Sequence, residues 1–373
     1  MVAPAETSQR ITRLTPLADV LARIDATVMP FKSYSISPKD ALLRKAMLAA
    51  DIVAPQDHPS FAIALIDGFA VDSAATLDAS SYSPVPLGAP HRVAVGEKLP
   101  PGTDAVAPVD AVQANGDAAE ILVSIAAGTG VLPAGGDMMA GAVLRRAGEF
   151  LRQSDIAVLE AVGIKTIHAR MPHLRIVQAR YGDAVLEAAV HLISDWVKQV
   201  GGLVSLADEE LDQALAAGNT EAIVVIGGTG TGPQDNSVQT LARLGRVEVH
   251  GVGLTPGETT AFGMIGRRPV LVIPGRLDAA MAVFATLGTH MMSRLTGATD
   301  IDRGEAVTLS RKVTSTIGLA EFIPLQRDDE SVTPLGVGYL PMQALARADG
   351  WLLVPPDSEG YPAGASVRMR AWP

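Results

Sequence analysis

The run AIVVIGGTGTGPQDNS, residues 222–237, is where chemistry is most legible in this chain. A buried strand that feeds a Gly-rich turn into a helix brings backbone N–H groups and the positive end of a helix dipole to one point, which suits phosphate. Gly227, Gly228, Gly230 and Gly232 let an anion approach the backbone, and Thr229 and Thr231 offer hydroxyl donors. The spacing departs from GxGxxG, and no Lys follows as in a Walker loop. A tight strand-to-helix connection would need the same glycines, so the run alone leaves both readings open.

Carboxylates beside turns form the second set: Asp67 in LIDGFAV, Asp137 in PAGGDMMAG, Asp183 in RYGDAV, Asp208 after LVSL and Asp235 in GPQDN. Read singly, each is a turn or helix-capping residue before it is a catalyst. Asp208 and Asp235 are read as opening helices, where capping comes cheaply. Arg180 and Arg276 lie just past the ends of two expected strands, where open α/β sheets bind ligands; both also fit as surface arginines. The histidines form no HxH, HExxH or Ser-His-Asp arrangement and receive no catalytic role.

The elements that must position these residues follow from periodicity. Residues 173–295 alternate strand and helix as in a doubly wound parallel sheet, with strands at 174–178, 203–206, 222–226 and 269–274. The intervening helices are expected at 184–200, 208–215, 235–244 and 277–295. Upstream, Leu17, Val20, Leu21 and Ile24 share one helical face, and Ser37 caps a second helix that continues through Met47 and Leu48 toward Asp51. Ser154 is a candidate cap for a third. Short apolar runs punctuated by Gly and Pro between about 70 and 140, and again after 300, predict two β-rich regions, the last a small barrel or sandwich.

The expected architecture is α/β plus β and multidomain. A linking domain (1–55 with 140–168) holds an inserted small β-rich domain (56–139), followed by the doubly wound α/β domain (169–298) and a C-terminal β-barrel-like domain (299–373). A chain of 373 residues exceeds the usual single core. The formal net charge of −10 opposes general binding to nucleic acid or anionic membranes, so an anionic ligand needs a local cationic site. The absence of Cys excludes disulfides, thiolate catalysis and iron–sulfur clusters, and fits a reducing cytoplasm. No apolar stretch approaches the length that a bilayer needs, and the first ten residues do not read as a signal peptide.

Taken in order, the motifs resemble those of the MoeA/gephyrin family of molybdenum insertases over nearly the whole chain. ALIDGFAV resembles the family's AMDGYAV, PAGGDMMAGAVLRRAGEFL its GEDxxxG segment, IVVIGGTGTGPQD its TSGGVSxGxxD, VLVIPGRLDAAM its GLPGNPVSA, and ALARADGWLLVPP its ADGLIxLP. The resemblance implies a molybdopterin-binding α/β domain and a homodimer whose site draws carboxylates from both subunits. It also implies a reaction: molybdate enters adenylylated molybdopterin, and hydrolysis of the adenylyl bond with Mg2+ or a related cation releases AMP. Carried over by position, Asp67, Asp137 and Asp235 stand on catalytic aspartates, and Asp183 and Asp208 on metal-binding ones. Gly227, Gly228, Thr229, Thr231, Gly232, Pro274, Gly275, Arg276 and Arg180 line the ligand. The pterin would be the small-molecule partner, with a molybdoenzyme or another protein of the cofactor pathway as recipient.

The departures are chemical. Ala184 replaces the glutamate of TGDEL, and TPGET at 255–259 replaces KPGKP, removing cations and adding Glu258. Arg276 and Leu277 replace the asparagine and proline of PGNP, and Gly230 replaces the serine of GGVS. Losing such contacts can slow a reaction by orders of magnitude. Two functions follow: an insertase with a rebuilt site, Arg180 and Arg276 standing in for the lysines, or a non-catalytic carrier of molybdopterin or the finished cofactor.

Overall fold

The computed structural model describes residues 9–88, 90–115, 118–299 and 304–373. The chain divides into two compact units, residues 1–50, 147–156 and 165–373 forming one and residues 51–146 and 157–164 the other.

The first unit opens with α1 (Leu17–Thr27), which buries Leu17, Val20 and Ile24 along one face. Its central sheet is built from β1 (His173–Gln178), β2 (Leu203–Leu206), β3 (Ala222–Ile226), β4 (Arg246–His250), β5 (Ala261–Ile265) and β6 (Arg268–Ile273), in the order β2-β1-β3-β6-β5-β4. The four strands β2, β1, β3 and β6 run parallel, and β5 and β4 add an antiparallel edge. This edge is absent from the periodicity reading. Helices α2 (Ala184–Gln199), α3 (Leu211–Ala216), α4 (Ser237–Leu244), α5 (Leu277–Val283) and α6 (Thr289–Thr296) complete the layers.

Alternation along fully buried strands explains the two cores. Ala222, Val224 and Ile226 of β3 face Leu186, Ala189, Ile193 and Val197 of α2, whereas Ile223 and Val225 face Leu215, Val238 and Leu241 on the other side. Each such aliphatic side chain contributes about 1.5–3 kcal/mol through burial, so a register slip that exchanged the faces would be strongly disfavoured.

Several helix boundaries differ from the sequence expectation. α3 starts at Leu211 rather than at Asp208, and α4 at Ser237 rather than at Asp235. The helix capped by Ser37, which accepts the Asp40 N–H at 3.1 Å, ends at Leu43. Lys45 then takes φ 51°, and Met47–Leu48 pairs as a strand with Ala169 and Arg170. The helix near 154 begins at Gln153, so Ser154 lies inside it, and the Arg152 N–H donates to Asp155 at 2.8 Å instead. The last α/β helix is interrupted by a π-helical turn, Phe284–Gly288, between α5 and α6.

The C-terminal part of this unit is a mixed sheet centred on β7 (Ala320–Arg327), β8 (Gly350–Val354) and β9 (Ser366–Ala371). Strands Thr15–Pro16 and Val252–Thr255 extend it on one side and Glu305–Thr308 on the other, and the strand order does not close on itself. The second unit holds two three-stranded antiparallel sheets, Gly68–Val71 flanked by His91–Val93 and Ala105–Pro108, and Ala118–Ile121 flanked by Val112–Asn115 and Val85–Leu87. No helix among the described residues is long and apolar enough to cross a membrane.

Candidate functional site

Parallel register sets the site. Gln178, Ile226 and Ile273, the last residues of β1, β3 and β6, lie level with one another, so their following loops emerge side by side. The chain leaves β1 toward β2 on one side and reaches β3 on the other, which makes the crevice between β1 and β3 the topological switch point where open α/β sheets bind ligands. Ala179 N–H donates to Ile226 at 2.9 Å and Gly227 N–H to Ile273 at 2.8 Å, which joins the three loops.

The Gly-rich loop then turns sharply. Gly227 and Gly228 take φ 95° and 68°, and a Cβ on Gly228 would stand 2.3 Å from the Ser237 hydroxyl. That fully buried serine donates through Oγ to the Gly227 carbonyl at 2.9 Å and through its N–H to Gly228 at 3.1 Å. Asp235 folds back over the loop and accepts the Gly232 N–H at 3.0 Å. A Cβ on Gly230 would lie 2.7 Å from that carboxylate, so in this arrangement a side chain there would crowd Asp235. Thr229 and Thr259 share a 2.7 Å hydroxyl bond, so the altered TPGET segment packs directly on the loop. His250 lies against the Thr229 carbonyl; burial holds its pKa below the ordinary imidazole value, with that carbonyl opposing the shift. From the N-terminal segment, Gln9 donates its amide to the Gly228 and Gly230 carbonyls at 2.7 and 2.8 Å.

Around this loop stand several of the residues expected from sequence. Asp183 caps α2, accepting from Val185 and Leu186 at 3.0 and 3.2 Å. Arg180 is exposed, reaches Gln234 of the Gly-rich loop at 3.5 Å and has no ion pair among the described residues. Pro274 and Gly275 follow β6, and a Cβ on Gly275 would meet the Gly227 Cα at 3.4 Å. Arg276 is at the same edge, but its guanidinium is bound by Asp278 and lies 5.1 Å from the Tyr339 ring centroid. Asp278 is 4% exposed and also accepts from Ala279 and Leu340. Its bond to Arg276 is the main cause that raises the arginine's pKa, so this cation is charged but already compensated.

The remaining expected residues stand on other loops. Asp208 is exposed one strand further out, after β2, and caps no helix. Its loop is tied to the loop after β1 by the Tyr181 hydroxyl, which donates to Ala207 at 3.2 Å; burial, then Asp208, Glu209 and Glu210, raise the Tyr181 pKa. Asp67 and Asp137 belong to the second unit, both exposed, and Asp67 accepts the Val95 N–H at 2.9 Å, a bond between segments 28 residues apart. Among the described residues no three His, Asp or Glu side chains converge to hold a metal ion. These carboxylates therefore form no self-contained cage for Mg2+ among the described residues.

Sequence reasoning missed Gln9, Thr259, His250 and Asp278. Gln9 lies 219 residues from its partner Gly228, a separation that leaves no local signal. Asp278, two residues after Arg276, was within reach as a charge neighbour.

Fold and site together define a multidomain protein organised around an α/β domain with a Gly-rich loop at its switch point. Two family models match in succession: the MoeA N-terminal region (domain I and II) over residues 15–163, and the molybdenum-cofactor biosynthesis model described as "Probable molybdopterin binding domain" over residues 192–294. The chain belongs to the MoeA family. Molybdopterin molybdenumtransferase 1 of Mycobacterium tuberculosis is 26% identical over 390 residues, covering 88% of this chain and 89% of that protein. Molybdopterin molybdenumtransferase 2 of the same organism is 22% identical over 371 residues, with 87% and 91% covered. The crystal structure of a molybdopterin biosynthesis MoeA protein from Pyrococcus horikosii superposes with a TM-score of 0.83 at 24% identity, covering 97% of this chain and all of that one, which shows the shared fold.

Proposed function

We propose that this protein acts in molybdenum cofactor biosynthesis as a molybdopterin molybdenumtransferase, inserting molybdate into adenylylated molybdopterin with release of AMP. The observation that supports this most is the loop after β3, where glycine geometry and the flanking Arg180 make an anion-accepting surface at the switch point. In this reading the loop N–H groups and Arg180 receive the phosphates of the ligand, and Asp235 keeps the loop closed through Gly232. Water hydrolyses the adenylyl phosphoanhydride, giving AMP and the molybdopterin phosphate, while the two dithiolene sulfurs displace one oxygen of molybdate, which leaves as water with the two thiol protons, and molybdenum stays hexavalent. The protein works as a cytoplasmic homodimer, takes magnesium from solution with the substrate, and hands the product to a molybdoenzyme or another protein of the pathway.

One observation favours the second reading, a molybdopterin or cofactor carrier. Arg276 is bound to a buried Asp278, and Glu258 adds negative charge nearby, so the cations that would stabilise a leaving phosphate are fewer than the family pattern supplies. Incubation with adenylylated molybdopterin, molybdate and magnesium, with AMP as readout and Asp235→Ala as control, separates the two. AMP release that the substitution abolishes supports the transferase. Retention of pterin without AMP release would replace it with the carrier.

A further inference from the structure

Two peptide units of the Gly-rich loop are gripped from behind by one side chain. Gln9 Nε2 donates to the carbonyls of Gly228 at 2.7 Å and Gly230 at 2.8 Å. Neither peptide unit is cis, and a trans peptide points its N–H opposite its C=O. Holding these two carbonyls therefore turns the N–H groups of Thr229 and Thr231 toward the opposite side. Neither N–H has an acceptor among the described residues, and Thr229 is 4% exposed, surroundings in which a donor normally finds a partner.

Gln9 is itself 7% exposed, and its Oε1 has no partner among the described residues. A leucine or methionine would fill the same space without stranding an acceptor, so packing alone does not account for a glutamine. The residue also lies ahead of the region matched by the MoeA N-terminal model, which begins at residue 15.

We propose that Gln9 is a positioning residue for the ligand loop: by fixing the Gly228 and Gly230 carbonyls it presents the Thr229 and Thr231 N–H groups to a phosphate oxygen of the bound pterin. The identity of the ligand rests on the reading above; the support of the loop does not. Gln9 is then coupled to the binding site by reciprocal linkage.

Two full-length variants test this. Gln9→Glu keeps the shape but removes both donors, and Gln9→Ala removes the group. In ligand-free protein, amide exchange at Ser237, whose N–H is held by Gly228, is expected to quicken about tenfold in both. Molybdopterin affinity is expected to fall about tenfold in Gln9→Ala and further in Gln9→Glu, where a carboxylate faces two carbonyls. Exchange as slow as wild type in both variants would overturn the proposal, whatever the pterin result. So would faster exchange with undiminished affinity. Faster exchange in variants of a wild-type protein that binds no molybdopterin would uphold the support of the loop by Gln9 and defeat the pterin reading alone.

Discussion

Replacing Gly228 by alanine should damage the loop by an amount that can be worked out in advance. At φ 68° the backbone is left-handed, which costs an L-residue about 1–2 kcal/mol. The new Cβ would stand 2.3 Å from the Ser237 hydroxyl, so the hydroxyl must leave its 2.9 Å bond to the Gly227 carbonyl. That loss is worth about 1 kcal/mol net, or more where the acceptor stays buried and unpaired. The sum is about 2–3 kcal/mol. All three tryptophans, Trp196, Trp351 and Trp372, lie in the same unit as the loop, so their fluorescence during urea unfolding follows the affected part. Ser237→Ala alone should cost about 1 kcal/mol, and the double variant less than the sum of the two, because the clash is gone. A Gly228→Ala protein within about 0.5 kcal/mol of wild type, or strictly additive costs, would refute the loop geometry and the ligand reading that leans on it.

Two further changes probe the electrostatics. Asp278→Asn should lower stability by about 2 kcal/mol, since a buried carboxylate bonded to Arg276, Ala279 and Leu340 loses its charge, while titration calorimetry with inorganic phosphate should show tighter binding as Arg276 is released; unchanged phosphate affinity would show that Arg276 already serves the site. His250 has a depressed pKa in the fold, so its neutral ring contributes stability that is fully present above the unfolded value of about 6.5 and is lost as the pH falls below it. The urea midpoint should therefore drop more steeply from pH 7.5 to 5.5 in wild type than in His250→Gln, and parallel slopes would count against this assignment.

What could be read from the sequence was what depends on short-range pattern. The strands 203–206 and 222–226 stand where their apolar runs place them; 222–226 is buried throughout, as its unbroken apolar run requires, whereas 203–206 is an edge strand whose Leu203 and Leu206 are exposed. The helix starts at Asp208 and Asp235 were misread for one physical reason: a carboxylate before a helix looks like a cap whatever it bonds. Asp235 instead accepts from Gly232, three residues back, closing the loop rather than opening α4. Met47 and Leu48 continue the helical period on paper, but a left-handed Lys45 turns the chain first and strand pairing absorbs them.

The site itself was half legible, and the missing half consists of long-range partners. Gly227 to Gly232 announced a sharp turn between strand and helix, yet the groups that hold it, Gln9 and Ser237, are named by no spacing rule. The same holds for charge. Arg276 in sequence looks like a replacement for lost lysines; in the fold its guanidinium is bound to Asp278, a carboxylate buried to 4% exposure, and the net field it offers an incoming phosphate is that of an ion pair. Arg180, exposed and without an ion pair among the described residues, is then the cation better placed to act on a ligand at this loop, and exchanging the roles of the two arginines requires breaking the Asp278 pair.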